Sequence, residues 1–431
     1  MDDGSGGATA LLGMDGFVVL SMTEHKREWW LLVETTVEVV GCPSCGVRAV
    51  GHGRSVIQVR DLPASGQAVR LCWRKRRWRC LDSDCSTKTF SEQSPLVEGS
   101  LSTRARAEIC RQVGEEGRSV ASVARAFGVG WASAMTAVRD HGRPLVDDPR
   151  RIHGVRALGV DEHKMLAAGA KHRSVFATQL VDLDRGRLLD VVPGRSARSV
   201  STWLDERTRW FRDHVAVAAI DPHAGYQRAL RTSLPRATVT VDPFHLVKLA
   251  NGAIDDVRRR VQRETLGHRG RKDDPLYGVR RLLTRGWERL SEPQEERLVA
   301  ALRHGDPFDE VGAALVAKEE LRQMYAAATI TGARRHLDAF YELARRCGVP
   351  EVTRLSRTVR RWEPQILSFF VTGHTNAKSE AQNLITEKLR RIAHGMRNFE
   401  NYRLRLLLHS GVEWNTPTTA RIRGRQPRLI A

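Results

Sequence analysis

Three short apolar runs, each closed by an aspartate, constrain the fold of this 431-residue chain more than any other feature. They are VRALGVD, ending at Asp161, HVAVAAID, ending at Asp221, and ATVTVD, ending at Asp242. Runs rich in small and β-branched residues are the pattern of strands largely covered by the fold. Between the first two, SVFATQLVDLDRGRLLDVV reads as a hairpin turning at DRG, and a helical pattern follows over about 197–212.

The resulting order is strand, strand, strand, helix, strand. It predicts an RNase H-like mixed sheet, in which the acids ending the first and fourth strands become neighbours. Two carboxylates that close repel unless they share cations, and a third from a helix would complete a cage for two Mg²⁺ or Mn²⁺ ions. Paired metals of this kind promote in-line displacement at phosphorus. The helix NAKSEAQNLITEKLRR offers Glu380 and Glu387, seven residues apart and so on roughly one face, with Asn383 a turn beyond Glu380. Spacing alone leaves both glutamates open.

Charge narrows the partner. The chain has 70 Lys+Arg against 50 Asp+Glu, a net charge of +20, and a pI near 10.4. Such a surface suits a polyanion, because each cation that neutralises a phosphate releases condensed counterions. Nucleic acid is therefore the expected partner, with a ribosomal or other RNA-binding role as the plainer alternative. Arginines crowd one stretch in particular: 258–285 carries ten basic and three acidic residues, which suggests a grip on DNA. The apolar runs are far shorter than the roughly 20 residues of a membrane span. The acidic, Gly-rich start has no basic n-region, so a cytoplasmic, nucleoid-associated protein is expected.

Seven cysteines stand at 42, 45, 72, 80, 85, 110 and 347. The odd count in a long chain argues for metal or free thiols over a disulfide framework. Cys42 and Cys45 form a Cys-x2-Cys pair, and Cys80 and Cys85 form a Cys-x4-Cys pair 34 residues further on. Four thiolates in two short-spaced pairs suit structural Zn²⁺, with His52 as a possible substitute ligand. Between the pairs lies RLCWRKRRWRC, where Arg74, Lys75, Arg76, Arg77 and Arg79 could present a guanidinium face to DNA. A solvated edge that resists strand aggregation is the alternative.

RSVASVARAFGVGWASAMTAVRDHG, from Arg118, reads as helix, tight turn at Gly128, and helix. Ala134 and Val138 would face inward, and a preceding helix over about 103–116 completes a helix-turn-helix. Trp131, Ser133 and Thr136 would then enter the major groove. The expected fold class is multidomain α/β, with these boundaries: a disordered lead-in at 1–28, a zinc-binding β module at 29–95 and a helix-turn-helix at 101–145. The first part of an RNase H-like core follows at 152–250, then an all-helical basic insertion at 251–375, the last core helices at 376–415 and a basic tail at 416–431.

Five motifs together carry a resemblance: CPSCG, GVDEHK, AIDPHAGY, VDPFHLVKL and TNAKSEAQNLITEKLRRIAHGMRNFENYRLRLL. The chain resembles the ISL-three insertion-sequence family of DDE transposases from about residue 40 to 412. The resemblance implies a DNA transposase that binds the inverted-repeat ends of its element, cuts them and transfers the strand, acting as a homodimer or larger assembly on double-stranded DNA. It implies Asp161, Asp221 and Glu380 as the catalytic, metal-binding acids, selecting Glu380 over Glu387. Asp242, His245 and Asn383 are implied as supporting residues, and Arg397 lies in a motif placed among the DNA contacts. A domesticated DNA-binding regulator that no longer cuts is the alternative.

Overall fold

The computed structural model describes residues 5–169 and 173–414, so the tail expected at 416–431 lies outside the described residues. From the N-terminus, helix α1 (Ser5–Leu12) leads into strands β1 (Phe17–His25), β2 (Glu28–Thr35), β3 (Val50–Ala64), β4 (Gln67–Arg79), β5 (Thr89–Ser91), β6 (Val97–Glu98) and β7 (Leu101–Ser102). Helices α2 (Thr103–Gly114), α3 (Val120–Ala126) and α4 (Trp131–Val146) follow. Next come β8 (Ala157–Leu166), β9 (Val175–Asp182), β10 (Arg187–Pro193), α5 (Ala197–Asp205), α6 (Arg209–His214), β11 (Val217–Ile220), α7 (Ala224–Ser233) and β12 (Thr238–Val241). Helix α8 (Pro243–Leu266) opens a helical run of α9 (Pro275–Gly278), α10 (Arg280–Leu283), α11 (Glu292–Gly305), α12 (Glu310–Ala326), α13 (Ile330–Arg346), α14 (Pro350–Leu367) and α15 (Phe369–Thr372). Helices α16 (Ala377–Ile392) and α17 (Phe399–Ser410) end the described chain. The chain divides into two compact units, one formed by residues up to Arg151 with those from Leu389 onward, the other by Ile152–Lys388.

The first unit carries a sheet in the order β1-β2-β4-β3-β7-β6, with β5 added to β4. Alternation on β4 buries Val69, Leu71 and Trp73 and turns Arg70 and Cys72 between them to the other face. The lead-in expected to be disordered is instead part of this module. Leu12, Met14, Phe17 and Val19 are buried in the same core, and the Phe17 ring meets Trp73 edge-on at 5.3 Å. Leaving those side chains in water would strip one face of the sheet of its cover.

The helices of this unit have readable starts. Ser102 caps α2 by accepting from the Ala105 N–H, and Ser119 caps α3 by accepting from Ser122. Gly128 supplies the turn before α4 with φ +64°, where Arg60 Nη1 would stand 2.9 Å from an added Cβ. One boundary differs from the sequence reading. Helix α17, expected among the last core helices, belongs to this first unit. It packs on α2 and α4 and buries Tyr402, Leu404 and Leu406–Leu408.

The second unit is built on a mixed sheet of order β10-β9-β8-β11-β12. Strands β8, β9 and β10 pair antiparallel, whereas β8, β11 and β12 run parallel. The hairpin turns as expected, held by Asp182 Oδ1 accepting from the Asp184 and Arg185 N–H groups. The single helix expected at 197–212 is broken into α5 and α6, because Thr208 caps a new start at Arg209.

A larger correction concerns the insertion. Helix α8 runs without a break across the expected boundary at 250/251. One hydrophobic core extends from Val160 and Ile220 on the strands through Ile254, Val257 and Val261 of α8 to Val359 and Ile366 of α14. The helices are therefore an extension of the core, with no seam of their own. Trp362 is buried in that core and Trp287 packs against it. Several arginines of 258–285 also serve the fold: Arg258 is buried on Asp255, and Arg260 bridges Glu310 and Glu351 at 2.8 and 3.0 Å.

Candidate active site and zinc site

The four cysteines converge as their spacing predicts. Cys42 and Cys45 sit on the turn completed by Gly46 (φ +75°), while Cys80 and Cys85 flank the loop after β4. Cys42 Sγ lies 3.7 Å from Cys85 Sγ, and Cys45 Sγ lies 3.5 Å from Cys80 Sγ. A tetrahedron of sulfurs about 2.3 Å from zinc has edges of about 3.8 Å, so the donor set fits Zn²⁺. The same separations are far too long for disulfides. Backbone N–H groups of Cys45, followed by Ser44, help to hold the Cys42 thiol down at about 7 despite its desolvation, which favours the ligating thiolate. His52 stands outside this group of four.

The basic candidates of β4 are less free than the sequence suggests. Arg74 and Arg76 pair with Glu34 at 2.9 and 3.6 Å, and Lys75 sits over the Trp73 ring at 5.0 Å. Arg77 and Arg79 remain exposed. On α4, Trp131, Ser133 and Thr136 are exposed while Ala134 and Val138 are buried, as the helical period requires. Arg397 is exposed, and with Trp131 it lines a small cavity of about 240 Å³.

The acid site follows from register. Ile220 pairs with Val160 on one side and Val241 on the other. The next residues, Asp161, Asp221 and Asp242, therefore stand in a row across three parallel strands about 4.8 Å apart. Helix α16 brings the fourth acid. His245, in the first turns of α8, joins the row to it. Its Nε2 lies 2.9 Å from Asp221 Oδ2, and its Nδ1 lies 3.4 Å from Asp242 Oδ2 and 3.8 Å from Glu380 Oε1. Asn383 Nδ2 donates to Asp161 Oδ2 at 2.7 Å. The structure thus brings together Asp161, Asp221, Asp242, His245, Glu380 and Asn383. Asp242, His245 and Glu380 place ligand atoms within 4.8 Å of one another, and Glu387 is not in that group.

Electrostatics mark this site as strained by like charge. Burial, then the Asp221 carboxylate, pushes Asp161 up to about 7. Burial opposes the charge on His245, yet its bonds to Asp221 and Asp242 outweigh that and lift the ring to about 10. Burial and Asp242 raise Glu380. Asp221 Oδ1 is buried without a hydrogen-bond partner. An orphaned carboxylate oxygen within a cluster of hard oxygen donors fits a divalent cation such as Mg²⁺ or Mn²⁺.

The raised Asp161 has a measurable consequence. A carboxyl whose folded-state value is raised costs no stability in acid and loses its protonated form as pH climbs through about 7. In metal-free protein, Asp161→Asn should match wild type near pH 4. By pH 8 it should exceed it by up to roughly 4 kcal/mol, at about 1.36 kcal/mol per unit. Denaturant melts at the two pH values check this, and a difference that does not grow with pH refutes it.

Three residues that shape the site were not singled out in the sequence. Asn376 is fully buried, and its N–H donates to Asp242 Oδ1 at 2.8 Å, tying the start of α16 to the end of β12. Ser379 is likewise buried. Both press on Gly159, where an added Cβ would run into Ser379 Oγ and stand 3.0 Å from Asn376 Oδ1. A glycine inside a strand is a recognised sign of close backbone approach, and GVD carries that sign two residues before Asp161.

Comparison with known proteins agrees with this architecture. The ISL3 (ISL-three) family model, described as a transposase, matches residues 158–406. The zinc-finger of transposase IS204/IS1001/IS1096/IS1165 matches residues 38–85. The transposase for insertion sequence element IS1001 of Bordetella parapertussis is 26% identical over 382 residues, 87% of this chain and 90% of that protein. The transposase for insertion sequence element IS1557 of Mycobacterium tuberculosis (strain CDC 1551 / Oshkosh) is 28% identical over 272 residues, 58% of each. A mixed α/β chain with a zinc ribbon and these relatives is of the transposase class. It belongs to the ISL3 family, whose model covers more than half of its length. Among the described residues, no helix is long and apolar enough to cross a membrane.

Proposed function

We propose that the chain is a working DNA transposase that binds the inverted-repeat ends of its element and catalyses metal-dependent cleavage and strand transfer. The observation that carries the reading is the convergence of Asp161 on β8 and Asp221 just after β11, neighbouring interior strands, with Glu380 on α16 near His245, residues that sequence separates by up to 219 positions. The strand order of the second unit, antiparallel hairpin on one side and parallel strands on the other, supports an RNase H-like core. Asp161, Asp221 and Glu380 would hold Mg²⁺ or Mn²⁺. When bound, the ions activate the attacking water or 3′-hydroxyl and stabilise the leaving oxygen.

The chain's own residues prepare that site. Asn383 fixes the orientation of Asp161 through its amide. His245 braces Asp221 and stands between it and Glu380, so its positive charge offsets the acids. Asp242 holds two backbone N–H groups, Phe244 at 3.0 Å and Asn376 at 2.8 Å. One carboxylate thereby caps α8 and anchors the start of α16, one turn before Glu380. The zinc ribbon and the α2–α4 helices, read as a helix-turn-helix, serve to recognise the ends, with exposed Arg77, Arg79, Trp131, Ser133 and Thr136 as contacts. Paired ends call for a dimer or larger assembly on the DNA.

The test is cleavage of a labelled duplex carrying the inverted repeats that flank the gene. Cutting at the repeat boundary that needs Mg²⁺ or Mn²⁺ and spares a scrambled duplex is the expected result. Tight binding to the repeats without any cutting would make the chain a regulator and overturn the reading.

A further inference from the structure

Against the acid row lies a cavity of about 850 Å³, lined in part by Asp221 and His245 of that site and extending beyond them. Asp221 and His223 close one end, the face of α8 through Lys248 and Gly252 forms one wall, and Arg354 and Leu355 of α14 form the other. It is therefore continuous with the acid site and open to solvent along its length. Its volume falls within the range of about 300–1,000 Å³ typical of small-ligand sites. An intact duplex, whose major groove alone is about 12 Å wide, is too broad for it, whereas a single nucleotide is not.

Gly252 adds an independent observation. It sits in the middle of α8, where glycine costs about 1 kcal/mol relative to alanine. Its backbone is not in the left-handed region, and a Cβ built on it meets nothing within 4 Å. Neither backbone geometry nor packing inside the chain calls for a glycine here. Gly252 is exposed and lines the cavity, so a side chain here would take up part of that space. At the mouth, Lys248 and Arg354 are exposed, and neither makes a side-chain hydrogen bond or ion pair among the described residues. The lining Glu351 is already held by Arg260 at 3.0 Å. The other carboxylates on the lining also have partners: Asp221 faces His245 at 2.9 Å, Glu162 faces Arg195 at 3.5 Å and Asp256 faces Arg259 at 3.7 Å. Lys248 and Arg354 are then the cations left at the mouth, above apolar Leu249, Ala253 and Leu355, an arrangement that suits a phosphate outside and a base inside.

We infer that this cavity receives one unstacked nucleotide of the strand being cut, with its base between Leu355 and the α8 face and its phosphate against Lys248 and Arg354. The inference rests on the transposase reading and adds a ligand subsite to it. Taking a base out of the stack costs a few kcal/mol, so the contacts in the cavity must offset that cost. The cavity would hold the strand in place at Asp221, next to the phosphate to be attacked.

The test compares wild type, Gly252→Ala and Gly252→Leu on duplexes carrying the flanking inverted repeat, intact or with a single abasic site moved along the cut strand. Because the new side chains enter open space, both variants should melt no lower than wild type. Gly252→Leu should cut the intact duplex at least about tenfold more slowly, a loss of about 1.4 kcal/mol in transition-state binding. An abasic site at one position beside the cut should restore its rate, because there is then no base to exclude. Equal cutting of the intact duplex by Gly252→Leu and wild type would overturn the inference while leaving the transposase reading intact. So would a slow Gly252→Leu that no abasic position rescues. A wild-type chain that cuts no substrate would overturn both.

Discussion

Asp221→Asn should reduce metal-dependent cutting of the element ends by at least about a thousandfold, since losing a ligand removes several kcal/mol of charge stabilisation. Binding to the ends should stay within about twofold, because in the proposed role this acid would hold cations and touch no phosphate. The fold should survive. Asparagine has the shape of aspartate and keeps an oxygen that can accept from His245 Nε2, now 2.9 Å from Asp221 Oδ2. The substitution also takes away a carboxylate that raises Asp161, so repulsion within the row falls. A gel-shift titration, a melt and a cleavage time course measure the three properties separately. Substantial residual cutting by Asp221→Asn would refute the metal-ligand role, whereas loss of binding together with cutting would indicate a folding defect that the melt would reveal.

What could be read from the sequence follows the range over which each signal acts. The cysteine pairs were legible because ligand spacing is local and zinc tolerates few arrangements. The sheet of the second unit was legible because its strands contain short apolar runs, and register then fixed the neighbours of Asp221; the end of the first strand was not, since β8 runs on past Asp161 through polar residues to Leu166, paired with β9. Glu380 was not separable from Glu387 by spacing, since both lie on one helix face. The resemblance selected Glu380, and the tertiary path of α16 sets that residue beside His245, with Asn376 on Asp242. The lead-in was misread because a run such as GFVVLSM shows no helical or strict alternating period, although the sheet uses Phe17 and Val19 as cover. The insertion boundary failed for a related reason. Charge marked 258–285 as a separate surface, yet Arg258 and Arg260 are held in ion pairs on helices that share the core of the sheet. Composition reports how many cations a segment has and says nothing of which ones are already satisfied.

Gly159→Ala should be among the most damaging single-methyl changes available in the second unit. The residue lies in β8, two positions before Asp161, at the point where the start of α16 rests on the sheet. An added Cβ would collide with Ser379 Oγ, stand 2.7 Å from Leu183 Cδ2 and 3.0 Å from Asn376 Oδ1. The two polar neighbours cannot move freely. Asn376 is tied by its N–H to Asp242, Ser379 is fully buried, and α16 is pinned further along by Gln382 to the Gly186 carbonyl and Thr386 to Gln179, each at 2.7 Å. Overpacking at such a site costs about 1–3 kcal/mol. The larger effect falls on chemistry, because the only relief is to lift the first turn of α16, and Glu380 with it, off the acid row. A displacement of about 1 Å can cost on the order of a hundredfold in rate. Cutting should therefore fall far more than the melting temperature does, with binding to the ends retained. Ser379→Gly, which removes the nearest obstacle, should recover part of the loss when combined with Gly159→Ala, giving a coupling of about 1 kcal/mol or more in a double-mutant cycle. Strict additivity of the two changes, or a Gly159→Ala protein that cuts as well as wild type, would show that α16 does not depend on this contact to present Glu380.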